Sequence, residues 1–119
     1  MKYMLLIHDS EKSWGSLSDD EQKRIMAGYR RFTEEIRASG HYCAGSQLAP
    51  TSMATSVRVR NGKRLVTDGP FAETREHLGG YFLIEANDLD EALAVAGRIP
   101  GARKGTVEVR PVIELAGLP

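Results

Sequence analysis

Two short runs set the terms for this chain: Tyr3-Met4-Leu5-Leu6-Ile7 near its start and Tyr81-Phe82-Leu83-Ile84 in its second half. Both are apolar at consecutive positions. A strand with one wet face alternates apolar with polar residues, whereas a continuous apolar run belongs to a strand covered on both faces. The chain must therefore supply, or recruit, a layer on each side of the sheet that holds these runs.

The segments between them supply helices for one side. Ser18-Asp19-Asp20-Glu21 is a capping box with acidic residues in the first turn. The helix it opens carries Ile25, Tyr29, Phe32 and Ile36 as a single apolar stripe, and Gly40 is its expected stop. Asp88-Leu89-Asp90-Glu91 opens a second, shorter helix through Leu93, Ala96 and Gly97 that ends before Pro100. Strands are predicted at Lys2–His8, at His41–Leu48, at Gly80–Ala86 and at Thr106–Leu115, the last an edge or a bulged strand because Pro111 cannot donate to a ladder. Thr55–Arg60 and Lys63–Thr67 flank Asn61-Gly62, the favoured two-residue hairpin turn. The polar run up to Leu17, with Trp14 inside it, reads as a loop, and Cys43 as a small buried hydrophobe.

This order predicts an α+β fold, a ferredoxin-like βαββαβ sandwich with the hairpin as an insertion. Two helices cover only one face of such a sheet. The other face would be an apolar patch too large for a soluble monomer, so a homodimer through stacked sheet faces is expected.

With 119 residues, positions 1–119 are expected to form one domain with a core that needs neither disulfide nor metal. Sixteen basic and sixteen acidic side chains cancel, which argues against nucleic acid or anionic lipid as a partner. The aromatic-rich strand motif of RNA-binding sheets is absent as well. The apolar run Met4–Ile7 is too short for a membrane span or a signal segment, and no other exceeds five residues. A lone Cys43 has no partner for a disulfide, and a reducing cytoplasm fits it.

Chemistry is expected in the stretch Val66–Gly80, which packs Asp68, Glu73, Arg75, Glu76 and His77 between a Gly-Pro and a Gly-Gly break. Asp68 reads either as an Asx-turn residue or as a carboxylate at a strand end, serving as acid, base or anchor. His8 ends the first strand, where it either pairs with Asp68 or is satisfied at the sheet margin. Tyr29 lies on the apolar stripe, and its hydroxyl, if buried, needs a polar partner that Asp68 would supply. Arg58, Arg60, Lys63 and Arg64 make the hairpin basic, either as a solvated edge or as an anion site. His8, Asp9, Asp68, Glu73 and His77 show no metal-ligand spacing, so no metal and no cofactor are expected.

The nine residues Asp68-Gly69-Pro70-Phe71-Ala72-Glu73-Thr74-Arg75-Glu76 resemble the D-G-P-F-A-E-T-K-E signature of the DGPF group within the YCII-related proteins. Met1–Ile7, Leu78–Ile84, Leu89–Ala92 and Val107–Pro111 resemble the same family in the same order. The resemblance implies a bacterial, cytoplasmic protein with a dimeric α+β-barrel version of the ferredoxin-like fold, in a setting often linked to sigma factors. It also implies small-molecule chemistry with a His–Asp pair. The family histidine lies on the first helix, where this chain has Tyr29.

The expectation drawn from residues and resemblance together is an acid–base enzyme acting on a small organic substrate, in a cleft by the 66–80 loop. Asp68 would be proton acceptor or anchor, with His8 or Tyr29 as its partner. Glu73, His77 and an anion clamp of Arg58 or Arg110 would bind the ligand. The alternative is a non-catalytic ligand-binding or regulatory module associated with sigma-factor signalling.

Overall fold

The computed structural model describes residues 1–114; Leu115, where the last predicted strand was to end, lies outside them. Strands β1 (Lys2–Asp9), β2 (Tyr42–Gln47), β5 (His77–Glu85) and β6 (Thr106–Pro111) form one sheet in the order β2-β5-β1-β6, and every neighbouring pair is antiparallel. Strands β3 (Thr55–Arg60) and β4 (Lys63–Asp68) form a separate two-stranded sheet. The described residues include three α-helices: α1 (Glu11–Gly15), α2 (Asp19–Ala38) and α3 (Leu89–Ala96). This is a mixed α+β chain with antiparallel sheets, compatible with a ferredoxin-like arrangement.

The capping boxes set the helix starts. Ser18 Oγ accepts from the Glu21 N–H at 3.2 Å and donates to Glu21 Oε1 at 3.1 Å. Asp88 Oδ1 accepts from the Glu91 N–H at 2.9 Å, while the Glu91 carboxylate reaches back to the Asn87 N–H. The polar run before Leu17 is not wholly loop. Ser10 caps the short α1, its hydroxyl taking the Ser13 N–H, and a five-residue helix is too brief to show an apolar period.

Both longer helices cover the same side of the sheet, here called the inner face. Tyr3, Leu5 and Ile7 of β1 and Phe82 and Ile84 of β5 are buried there against Phe32 and Ile36 of α2 and Ala92, Val95 and Ala96 of α3. On the outer face, Met4, Leu6, Tyr81 and Leu83 are only partly buried. Among the described residues, burial of the two runs is therefore alternate, full on the inner face and partial on the outer.

Two register shifts interrupt the sheet. One lies in β2 between Tyr42 and Ala44 and takes Cys43 out of the pairing, so its thiol is exposed and not a core filler. The other lies between β1 and β5. The hairpin stands away from the sheet, and the radius of gyration is 16.4 Å, against ~13–14 Å for a compact chain of this length.

Candidate functional site

Titratable groups gather at the C-terminal end of β1, and a β-bulge brings them there. Ile7 pairs with Gly80 and His8 with Leu78, leaving Gly79 as the extra residue of β5. Were Gly79 paired in turn, strict alternation from Phe82 and Gly80 would send the His77 side chain to the outer face. Because it is skipped, His77 lies directly opposite Asp9, on the inner side. His77 is accordingly a strand residue and not part of a loop. Its Nδ1 is buried and has no hydrogen-bond partner among the described residues. A buried polar atom left single costs stability, and native folds retain such atoms mainly where they have work to do.

Three further groups lie at this end of β1. Asp9 turns one oxygen to the Ser10 N–H at 2.7 Å; its other oxygen makes no hydrogen bond among the described residues. Glu11, on α1, accepts from both the N–H (2.8 Å) and the hydroxyl (3.0 Å) of Thr51. The Thr51 N–H holds the Glu11 carboxyl below its ordinary range, helped by the Thr51 hydroxyl and by nearby His77 against slight desolvation. Tyr29 accepts the Gly101 N–H on its hydroxyl oxygen at 3.1 Å. Burial pushes the Tyr29 phenol up; the Gly101 bond opposes that and the Asp9 charge adds to it, so the group stays protonated at neutral pH.

The Glu11 clasp gives a pH dependence with a definite sign. A carboxyl lowered in the folded state contributes stability that is full above its unfolded value and is lost as pH falls through the folded one. Hydrogen exchange at the Thr51 N–H is therefore expected to accelerate as pH drops below the ordinary carboxylate range, after correction for intrinsic rates. Glu11→Gln is expected to remove that acid-dependent step, because an amide does not titrate there.

The residues singled out from the sequence fall in three separate places. Tyr29 and His77 belong to the β1 end. His8 and Arg110 lie on the outer face, where His8 Nε2 is 3.2 Å from Glu108 Oε1 and Arg110 sits across from Met4. The sheet thus separates His8 from Tyr29. Asp68 ends β4 on the hairpin, opposite Thr55, and Arg58 projects from the other face of that hairpin. Glu73 is exposed in the coil after β4. Among the described residues, no hydrogen bond or ion pair joins Asp68 to His8 or Tyr29; the partner of the Tyr29 hydroxyl is the Gly101 backbone. Glu11 is the gain over the sequence reading, and Asp9, weighed there only as a metal ligand, takes the carboxylate place at this end. Their only sequence signal is position, at and just past a strand end.

Two shallow grooves run along α2. One of about 260 Å³ is lined by Trp14, Asp19, Gln22, Lys23, Met26 and Arg30. The next, about 280 Å³, shares Met26 and Arg30 and adds Tyr29 and Thr33. Tyr29 therefore connects this groove with the β1 end. Among the described residues, no three His, Cys, Asp or Glu side chains are placed to hold a metal ion, and no helix is long and apolar enough to cross a membrane.

The YCII-related domain matches residues 1–116. A protein from Rhizobium meliloti (strain 1021), of uncharacterised function, is 35% identical over 114 residues, covering 94% of this chain and 92% of that protein. Among solved structures, a similar fold is found in 5-chloro-2-hydroxyhydroquinone dehydrochlorinase (TftG) from Burkholderia phenoliruptrix AC1100, determined in complex with 2,5-dihydroxybenzoquinone. The match has a TM-score of 0.55 and 13% identity, and covers 95% of this chain and 94% of that one. At that identity the likeness concerns the fold alone.

Proposed function

Because this chain belongs to the YCII-related domain family, we propose that it acts on a small organic molecule by acid–base chemistry at the C-terminal end of β1. The observation that carries the reading is the buried Nδ1 of His77, which has no hydrogen-bond partner among the described residues and belongs to the residue paired with Asp9. An imidazole so placed takes a proton from a bound substrate and returns it, while Asp9 balances the imidazolium that forms in between. Tyr29, kept as a phenol, is the neutral hydrogen-bond donor for an oxygen that becomes negative. The Gly101 N–H on its oxygen fixes where that donor points. This assigns His77 and Tyr29 catalytic contact and gives the carboxylate role within one protomer to Asp9.

The substrate class in this proposal is a hydroxylated ring compound. TftG, which shares the fold, was crystallised with a dihydroxybenzoquinone, and such ligands present the acidic hydroxyl and adjacent carbonyl that an imidazole and a phenol would handle. The proposal also includes membership of the DGPF group, carried by the motif at 68–76, a cytoplasmic location, and a homodimer through the outer sheet faces. Met4, Leu6, Tyr81 and Leu83 are the apolar residues that such a dimer would cover.

2,5-Dihydroxybenzoquinone is the first probe for the site. Its addition is expected to shift the NMR signals of the His77 imidazole, Asp9 and Tyr29, and His77→Asn is expected to weaken binding about tenfold or more by removing a charge-assisted contact. Should a panel of hydroxylated benzoquinones and phenols leave those three residues unmoved in the folded protein, the site assignment fails.

A further inference from the structure

The β3–β4 hairpin is amphipathic, and its apolar side is bare. Register places Thr55, Val57 and Val59 with Arg64, Val66 and Asp68 on one face, and Ser56, Arg58 and Arg60 with Lys63, Leu65 and Thr67 on the other. Val57, Val59 and Val66 are 61%, 62% and 57% exposed. An isolated two-stranded hairpin is at best marginal in water, yet this one is fully formed. Asn61 and Gly62 hold the positive φ values of its turn (51° and 75°), and Ser56 Oγ donates to the Gly69 carbonyl at its root.

We propose that this arm clasps a second copy of the chain, apolar face inward, and that Asp68 is the residue one copy thereby lends to the other. The inference rests on the homodimer reading above and goes beyond it. Area favours a second copy. Four strands at their usual spacing offer a flat patch of ~400 Å² per protomer, about half of the ~800 Å² that a stable interface buries on each side. One arm given and one received bring the interface to ordinary size. A two-fold axis satisfies both needs with no further partner, since the arm and the uncovered sheet face lie on the same chain.

The placement of Asp68 follows from the same register. It shares the arm's apolar face, at the root, so covering that face carries its carboxylate into the interface.

The test compares the wild type with a double variant on each face of the arm, by sedimentation equilibrium. Val57→Lys with Val66→Lys is expected to raise the dimer dissociation constant about hundredfold or more, while Arg58→Ser with Leu65→Ser, on the far face, leaves it within a few-fold. Neither pair touches the core, so circular dichroism should be unchanged. In the wild type, hairpin amides should exchange more slowly as protein concentration rises, and the Asp68 carboxyl NMR signal should differ between wild-type dimer and apolar-face variant. A dimeric wild type whose apolar-face variant dimerises equally well overturns the clasp and leaves the stacked-sheet dimer standing. A monomeric wild type at 100 µM, a concentration well above ordinary dimer affinities (~1 µM or tighter), overturns both.

Discussion

Replacing Gly105 with alanine is expected to destabilise the fold by about 2–3 kcal/mol, the usual cost of forcing an extra methyl into a packed place. A β-carbon there would lie 2.0 Å from the His8 carbonyl oxygen and 3.1 Å from Asp9 Cβ. The first is a backbone atom and cannot swing aside, so the end of β1 must move. Because that end carries Asp9, the damage should reach the site as well as the fold. Urea denaturation reads the stability loss, and the NMR signals of Asp9, His77 and Tyr29 read the displacement. Gly15→Ala is the control, since nothing lies within 4 Å of its added carbon; it should stay within about 0.5 kcal/mol of wild type. A Gly105→Ala protein that unfolds like the wild type would mean that the turn before β6 does not press on β1 as described.

The parts of this fold written in short-range chemistry were legible in the sequence. Ser18-x-x-Glu21, Asp88-x-x-Glu91 and Asn61-Gly62 specify local hydrogen bonds or local φ values, and each element begins or turns where they stand. The continuous apolar runs of β1 and β5 predicted cover on both faces, and within the described chain the inner face alone is fully buried. The bulge was not legible. Gly79-Gly80 reads as a break, but Gly79 is the unpaired residue of a continuous strand, and only the partner's register distinguishes the two. That one residue decides the face on which His77 lies. Asp68 was read as facing a cleft because it ends a strand and opens a motif. Its strand belongs to a projecting arm, a matter of tertiary placement that periodicity does not encode.

The proposed site is built from the expected residue types, imidazole and carboxylate, but from different positions. Resemblance put a histidine on the first helix, where this chain has Tyr29, and a carboxylate in the 66–80 stretch. In the structure an imidazole enters from β5, through the bulge, and the nearest carboxylate comes from β1. Both surround the strand end that the Tyr29 hydroxyl approaches through Gly101. Proton-transfer groups from separate elements can converge on one place without preserving the order in which they occur along the chain, because the requirement is distance and orientation.

The core itself gives the other large effect. Phe82→Ala is expected to cost about 3–5 kcal/mol, since the ring is 8% exposed and meets Phe32 edge-on at 5.1 Å and Tyr42 at 6.5 Å. The same ring explains a glycine. A β-carbon on Gly45 would lie 2.7 Å from Phe82 Cδ1, so Gly45→Ala should cost about 1–3 kcal/mol by overpacking. The two losses should not add. With the phenyl ring gone, the alanine methyl enters part of the space it leaves, and the double variant should be more stable than the sum by ~1 kcal/mol. Additive losses in urea denaturation would show that Gly45 is required for its backbone and not for the ring. The consequence reaches the site through the chain. β2 is an edge strand held to β5 across this contact, and it leads directly to Thr51, whose N–H and hydroxyl hold Glu11 beside His77. A loosened Phe82 plug should therefore speed hydrogen exchange first in β2 and then at Thr51, before the centre of the sheet responds.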